Sequence, residues 1–389
     1  MDAYEAMLRL VAAGGGIRPR RRLLAALGGP GPAIAAGVAT WRALGLDPGQ
    51  CARLANPDPA LLARGLAWRA ASPAHQLVGI DDPAYPALLR ATGRPPLALF
   101  VAGDPMLLWQ PSVAIVGSRA PSAGGRATAH AFAQALAGRG LAVASGLAAG
   151  IDTAAHAGAL AAGGTTLAVL GTGIDVPYPR ANAALHARIA ATGAVASELP
   201  PGTGGRAEQF PSRNRIVAGL TLGTLVVEAA HRSGALITAR LAADAGREVM
   251  AIPGSIHNPK ARGCHRLLRD GAALVESADE VAALLAPLAG GLADALRATL
   301  GAPTPGTGGA ADSTARADEK TGPDNNRLWQ ALGHDPTGMD ELVERTGLTA
   351  AEVSATLLLM ELDGRVAVEH GRYSRQSCNL APTGAGRGK

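Results

Sequence analysis

Arginines at the mouths of glycine loops are phosphate-holding chemistry: a guanidinium offers a planar fork of donors, and a glycine turn lets backbone amides approach an anion. Several runs of this 389-residue chain have that make-up. Val113-Ala114-Ile115-Val116 leads into Gly117, Ser118 and Arg119, so a buried strand delivers a turn, a hydroxyl and a cation to a helix starting near Ser122. The amides of that helix start, together with Ser118 and Arg119, are expected to hold a phosphate. A second loop, Gly171-Thr172-Gly173-Ile174-Asp175, continues through Tyr178-Pro179-Arg180-Ala181-Asn182 and projects Arg180 over the same strand ends. The macrodipole disfavours an idle cation before a helix, so Arg180 is expected to grip a neighbouring phosphate. A third run, Gln209-Phe210-Pro211-Ser212-Arg213-Asn214-Arg215, sets one of only three phenylalanines beside two arginines. That is a minimal single-strand site, a face for a base and two charges for the backbone. The alternative is that Phe210 packs into the core while Arg213 or Arg215 pairs with an acid such as Glu228.

Catalytic constellations are missing from the same loops. The chain has no Gly-x-x-x-x-Gly-Lys-Ser/Thr run, and the loop at Gly117 lacks the full Gly-x-Gly-x-x-Gly fingerprint. Ser118 has no evident histidine and carboxylate partners. His156, His231, His257 and His265 read as structural or surface groups, so neither a metal site nor a cofactor is expected.

Short β-rich runs alternate with Ala-rich helical stretches from Ser112 to about Leu285, the pattern of βαβ units on a mostly parallel, doubly wound sheet. Strands are expected near 113–117, 141–145, 166–170, 194–198, 224–228, 248–252 and 273–276. Their glycine loops, including Gly146-Leu147-Ala148-Ala149-Gly150, would then share one crevice beyond the carboxyl ends of the strands. Residues 1–72 read as short helices broken by Gly and Pro, with a basic cluster at Arg18, Arg20, Arg21 and Arg22. They form either a small helical (SAM-like) bundle or a helix-hairpin-helix around Leu27-Gly28-Gly29-Pro30-Gly31. The central domain is placed at 73–287, and 288–324, rich in Gly, Ala, Pro and Thr, reads as a flexible linker. Residues 325–377 follow a winged-helix order of helix, turn, helix and hairpin, and 378–389 reads as a disordered tail. The second helix of that module, Thr349 to Glu361, is acidic, which favours a protein contact or a contact through Arg365, Arg372 and Arg375 alone.

Lys plus Arg is 36 against 31 acidic residues, a net of +5, and only Lys260, Lys320 and Lys389 are lysines. Arginine richness suits phosphate, but a GC-rich genome also produces it, so composition permits a nucleic-acid partner without demanding one. Aromatics are 3% of the chain, too few for a series of stacking platforms. Cys51, Cys264 and Cys378 are far apart and in no metal-like spacing, which fits a reducing cytoplasm. No leader pattern and no apolar stretch of membrane-spanning length is evident, so no membrane partner is expected.

Taken in order and spacing, these runs resemble the DNA-processing protein A (DprA) family. The resemblance rests on Gly117-Ser118-Arg119, on Ser145-Gly146-Leu147-Ala148-Ala149-Gly150-Ile151-Asp152-Thr153-Ala154-Ala155-His156 and on Gly171-Thr172-Gly173-Ile174-Asp175. It extends over Tyr178-Pro179-Arg180-Ala181-Asn182, Phe210-Pro211-Ser212-Arg213-Asn214-Arg215-Ile216, Ser233-Gly234-Ala235-Leu236-Ile237-Thr238 and Ile252-Pro253-Gly254, covering about 80–285. The resemblance implies an extended Rossmann-like domain that binds single-stranded DNA, forms a homodimer, and protects incoming DNA while loading RecA onto it in natural transformation. It implies Arg119 and Arg180 as principal phosphate ligands, where the family often has lysine at the latter, with Phe210 stacking on a base and Arg213, Asn214 and Arg215 in support. The rival reading is a nucleotide-processing enzyme of the phosphoribohydrolase kind, since Gly223-Thr224 followed by Glu228 loosely matches the glycine motif of that group.

Overall fold

The computed structural model describes residues 1–300 and, beyond them, 328, 332, 337–346, 348, 353, 356, 357, 360, 366–369 and 372–375. The chain divides into two units, Met1–Pro303 and Thr304–Lys389.

Six short helices open the first unit: α1 (Ala3–Ala12), α2 (Ile17–Leu27), α3 (Pro30–Ala35), α4 (Gly37–Ala43), α5 (Pro48–Ala55) and α6 (Pro59–Ala70). Proline stands at the start of α3, α5 and α6, where its missing N–H costs nothing. Asp47 and Gln50 close a capping box on α5. The basic cluster is not one solvated patch. Arg20 is buried, its Nη1 donating to the Leu10 carbonyl at 2.9 Å and its Nη2 to that of Gly15 at 3.0 Å, so it ties down the end of α1. Met7, Leu10, Leu23 and Leu24 lie in one core with Val78, Ile80 and Leu97, so the helices share their interior with the sheet that follows residue 72.

That sheet has nine strands: β1 (His75–Gly79), β2 (Ala98–Gly103), β3 (Ser112–Val116), β4 (Ala142–Ser145), β5 (Thr166–Leu170), β6 (Ala194–Ser197), β7 (Gly223–Val226), β8 (Glu248–Ala251) and β9 (Ala273–Leu274). Their order is β1-β2-β6-β5-β4-β3-β7-β8-β9. The seven expected strands form the parallel part. β1 and β2 add an antiparallel edge, with Leu77 opposite Phe100 and Val101 opposite Ala196. β3 and β5 are buried along their whole length, which is why they read as continuous apolar runs.

Alternate residues feed two cores. Ala114 and Val116 face α11 (Gln209–Leu220) and α12 (Gly234–Asp244) through Ile216, Val217 and Ala239. Val113 and Ile115 face α8 (Ala123–Gly138), α9 (Ile151–Ala161) and α14 (Ala278–Leu300) through Ala133, Ala155 and Leu285. Helices thus cover both faces, the doubly wound arrangement expected, with α7 (Ala87–Arg90) after β1 and α13 (Arg262–Arg269) after β8. β3 lies between β4 and β7, so the chain winds outward from β3 in both directions and the topological switch point falls between β3 and β7.

Residues 288–300, expected as the start of a linker, are helix instead: α14 carries the chain to Leu300 despite Pro287 within it. The rest of 301–324, and the tail 378–389, lie outside the described residues. In the second unit the strands Thr337–Gly338, Val366–Glu369 and Arg372–Arg375 form an antiparallel sheet next to the helix Met339–Thr346. Leu328, Leu332, Leu342, Val353, Leu357, Met360 and Val366 make its own core. The hairpin falls where it was expected; the second helix of 349–361 lies mostly outside the described residues.

Candidate nucleic-acid interface

An open cavity of about 540 Å³ sits at the carboxyl ends of β3 and β7, at the switch point. Gly117, Ser118 and Arg119 line it from the loop after β3, and Arg232, Ser233 and Gly234 from the loop after β7. Phe210, Arg213 and Asn214 of α11 close one side, and Ile237 and Thr238 of α12 the other. Arg119 is exposed, and its guanidinium carbon stands 5.7 Å from the centre of the Phe210 ring. No ion pair engages Arg119 among the described residues. A cation over an aromatic face at the mouth of an open groove can hold a base and its phosphate together.

Phe210 lies near the start of α11, where it is half-buried. Its ring tilts against Tyr178, centroids 4.9 Å apart, and packs over Gly171, where an added Cβ would come within 2.9 Å of the ring. Gly171 is therefore the floor under the aromatic. Tyr178 is 49% exposed, so the pair offers a partly open aromatic surface. Arg180, also exposed, begins a 3-10 turn, Arg180–Asn182, ahead of α10 (Ala183–Thr192). The turn is held from beneath by buried Asn182, whose Nδ2 donates to the Leu147 carbonyl and to Thr153 Oγ1, both at 2.9 Å. Arg180 is thus fixed by the loop of β4 without itself lining the cavity around Arg119.

Other expected ligands are used internally. Arg213 is buried, its Nη1 donating to the Gly146 carbonyl at 2.7 Å and to that of Val169. Burial lowers its pKa to about 10, against the pull of Asp152. Arg215 donates to the Arg94 carbonyl and pairs with Glu198. Both guanidiniums are thus engaged within the protein, where the sequence reading had them supporting the phosphate contacts; the acid paired with Arg215 is Glu198, not Glu228. Asn214 does line the cavity, with Nδ2 toward the Gly234 carbonyl at 3.4 Å.

The loop amides are also engaged. Gly146 N and Ala148 N donate to Asp152 Oδ2 at 3.0 and 3.4 Å. Burial raises the pKa of Asp152, and Arg213 and these amides oppose that rise. Leu147 has φ +56° and Gly150 φ +87°, which folds the loop tightly enough that a Cβ on Gly150 would meet the Ser118 carbonyl at 2.3 Å. Gly173 N donates to the Thr203 carbonyl at 2.8 Å. At the start of α8, Ser122 N and Oγ donate to Glu228 at 2.9 and 2.7 Å, and Asn258 Nδ2 does so at 3.2 Å. The phosphate expected on the α8 amides therefore finds a carboxylate already there. Ser118 Oγ accepts from Ala120 N at 3.2 Å and shapes the turn.

Arg232, Ile237 and Thr238 were not singled out by residue chemistry. Arg232 is exposed, and Ile237, 44% exposed, is an apolar surface inside an otherwise polar groove. Their signal was the Ser233-Gly234 pair, a helix N-cap following a buried strand: Ser233 Oγ accepts from Ala235 N and starts α12 at the groove. Among the described residues no group of His, Cys, Asp and Glu could hold a metal ion, and no helix is long and apolar enough to cross a membrane.

Comparison with known proteins places these features in a family context. Residues 76–286 match the family model described as DNA recombination-mediator protein A, and 312–372 match the DprA winged helix domain. The Protein Smf of Escherichia coli is 39% identical over 318 residues, spanning 80% of this chain and 80% of that one. The DNA processing protein DprA of Streptococcus pneumoniae is 48% identical over 204 residues, 52% of this chain and 72% of that one. The X-ray structure of the S. pneumoniae DprA aligns with a TM-score of 0.64 at 38% identity, covering 73% of this chain and 98% of that one.

Proposed function

This chain belongs to the DNA recombination-mediator protein A (DprA/Smf) family, and from that premise we propose that it binds single-stranded DNA at the switch-point groove without catalysing a reaction. The observation that carries the reading is the exposed Arg119 guanidinium over the Phe210 face, in an open groove at the carboxyl ends of the strands. Arg119 and Arg180 take phosphates, Phe210 takes a base, and Gly117, Ser118, Gly146, Gly171, Gly173 and Asn214 shape the surface. Arg213 and Arg215 act behind it as struts. In the cytoplasm a homodimer would protect incoming DNA and load RecA onto it during natural transformation and recombination. The family's description as a recombination mediator supports that role.

Binding of a fluorescent oligothymidine to the wild type and to an Arg119→Ala, Arg180→Ala double variant, over a salt series and against a duplex competitor, tests the reading. The wild type is expected to prefer the single strand, and the double variant to lose most of the affinity. Undiminished binding by the double variant would move the site elsewhere on the molecule.

A further inference from the structure

Glycine loops that run from a strand into a helix ordinarily offer amides to a phosphate, and this is how mononucleotides and dinucleotides are held on doubly wound sheets. Here two such places hold carboxylates of the chain itself. Glu228, 6% exposed just beyond β7, lies across the start of α8 and takes both the amide and the hydroxyl of Ser122. It sits so close to the helix that a Cβ on Gly125 would meet its Cδ at 2.4 Å. Asp152, 7% exposed, takes the amides of Gly146 and Ala148 in the loop after β4, beside buried Arg213.

We propose that Glu228 and Asp152 are resident anions that close both amide cradles to inorganic phosphate and free nucleotides, so that the groove discriminates a DNA strand from its monomers. The discrimination rests on the reading of the groove as a strand site; the closure itself does not. A carboxylate complements the positive end of α8 as a phosphate would, and fills its place. A phosphate arriving there would meet like charge in a poorly solvated position. The exposed cations there are Arg119 and Arg232 in the groove and Arg180 beside it. One phosphate reaches one of these and gains little. A strand reaches several at once, the second contact being intramolecular once the first has formed. Glu228 is thus a specificity-determining residue, and the Glu that loosely matched a nucleotide-processing motif works against nucleotide binding.

The test is ³¹P NMR of inorganic phosphate and thymidine monophosphate with the full-length wild type and with Glu228→Ala. The wild type is expected to leave both signals unbroadened at millimolar ligand. The variant, with the cradle vacated, is expected to gain phosphate affinity about tenfold or more, the equivalent of one charge-assisted hydrogen bond. A folded variant that takes up no phosphate, or a wild type that broadens the signals as the variant does, would overturn the proposal. Should the variant fail to fold, the wild type decides: a large excess of thymidine monophosphate is expected to displace bound oligothymidine no more than sodium chloride of equal ionic strength, and greater displacement refutes closure. The phosphorus signals need no DNA binding, so a wild type that binds no oligothymidine would count against the strand site while leaving the closure to stand on its own data.

Discussion

Phe210 owes its pose to Gly171 beneath it, Tyr178 beside it and Arg119 above it. With aromatics at 3% of the chain, one base platform carries what stacking there is. Phe210→Ala is expected to weaken oligothymidine binding by about 1–3 kcal/mol, with Phe210→Trp retaining it; fluorescence anisotropy reads both. His156 poses a different residue-scale problem. The Thr166 hydroxyl donates to the Val143 carbonyl at 2.7 Å, so it accepts from the Nδ1–H of His156, which leaves Nε2 as a buried lone pair without a partner. Burial, helped by Arg213, lowers the pKa of His156 from 6.5 to about 3. As pH falls below 6.5 the unfolded chain takes up this proton first, so the stability His156 contributes above 6.5 is lost on the way to about 3. The slope is at most about 1.4 kcal/mol per pH unit. A His156→Gln variant is expected to show a flatter fall of Tm with acid over that window.

At the scale of elements, α11 decides which arginines are available. Arg213, Ile216, Val217 and Leu220 recur at i, i+3, i+4 and i+7, and all four are buried. Arg213→Met is expected to cost about 3–5 kcal/mol in urea unfolding, because it leaves the buried Gly146 and Val169 carbonyls without their donor and removes the positive charge near buried Asp152. Adding Asp152→Leu should recover only the part of that loss due to the uncompensated carboxyl, since the carbonyls stay unpaired and the Gly146 and Ala148 amides lose their acceptor. The same periodicity is legible in the sequence, and on a helix it turns Arg213 inward with the apolar residues. Strands β3 to β9 were legible because each is an apolar run ending at a loop or turn. β1 and β2 were not, since nothing local in the runs around Leu77 and Phe100 announces an antiparallel edge closing on β6. Pro287 and the glycines after it outweighed, in composition, the helix that continues to Leu300. Arg119 and Phe210 were readable from type and spacing; that Arg232 and Ile237 join them was not, because the switch point brings α12 to β3 across more than a hundred residues.

For the whole molecule, net charge and site geometry make separable predictions. The balance of +5 is modest, so binding should depend on the few guanidiniums at the groove rather than on a diffuse field. Each phosphate contact to a single strand contributes about −0.7 to the slope of log K against log salt, so removing Arg119 alone should flatten the slope by about that amount. The groove residues all belong to the unit Met1–Pro303, while the C-terminal unit has its own core of Leu328, Leu332, Leu342, Leu357 and Val366. Its winged-helix match suggests duplex contact, yet between Thr349 and Asp363 the chain carries Glu352, Glu361 and Asp363 and no basic residue, a charge pattern repelled by a phosphate-lined groove. Truncation after residue 303 is therefore expected to leave oligothymidine affinity and its salt slope within about twofold of the full chain, as energetically independent units would. A truncated protein that melts normally but loses its salt slope would mean that strand phosphates are held by Arg365, Arg372 and Arg375 as well, and the C-terminal unit would then belong to the DNA path rather than to a protein contact.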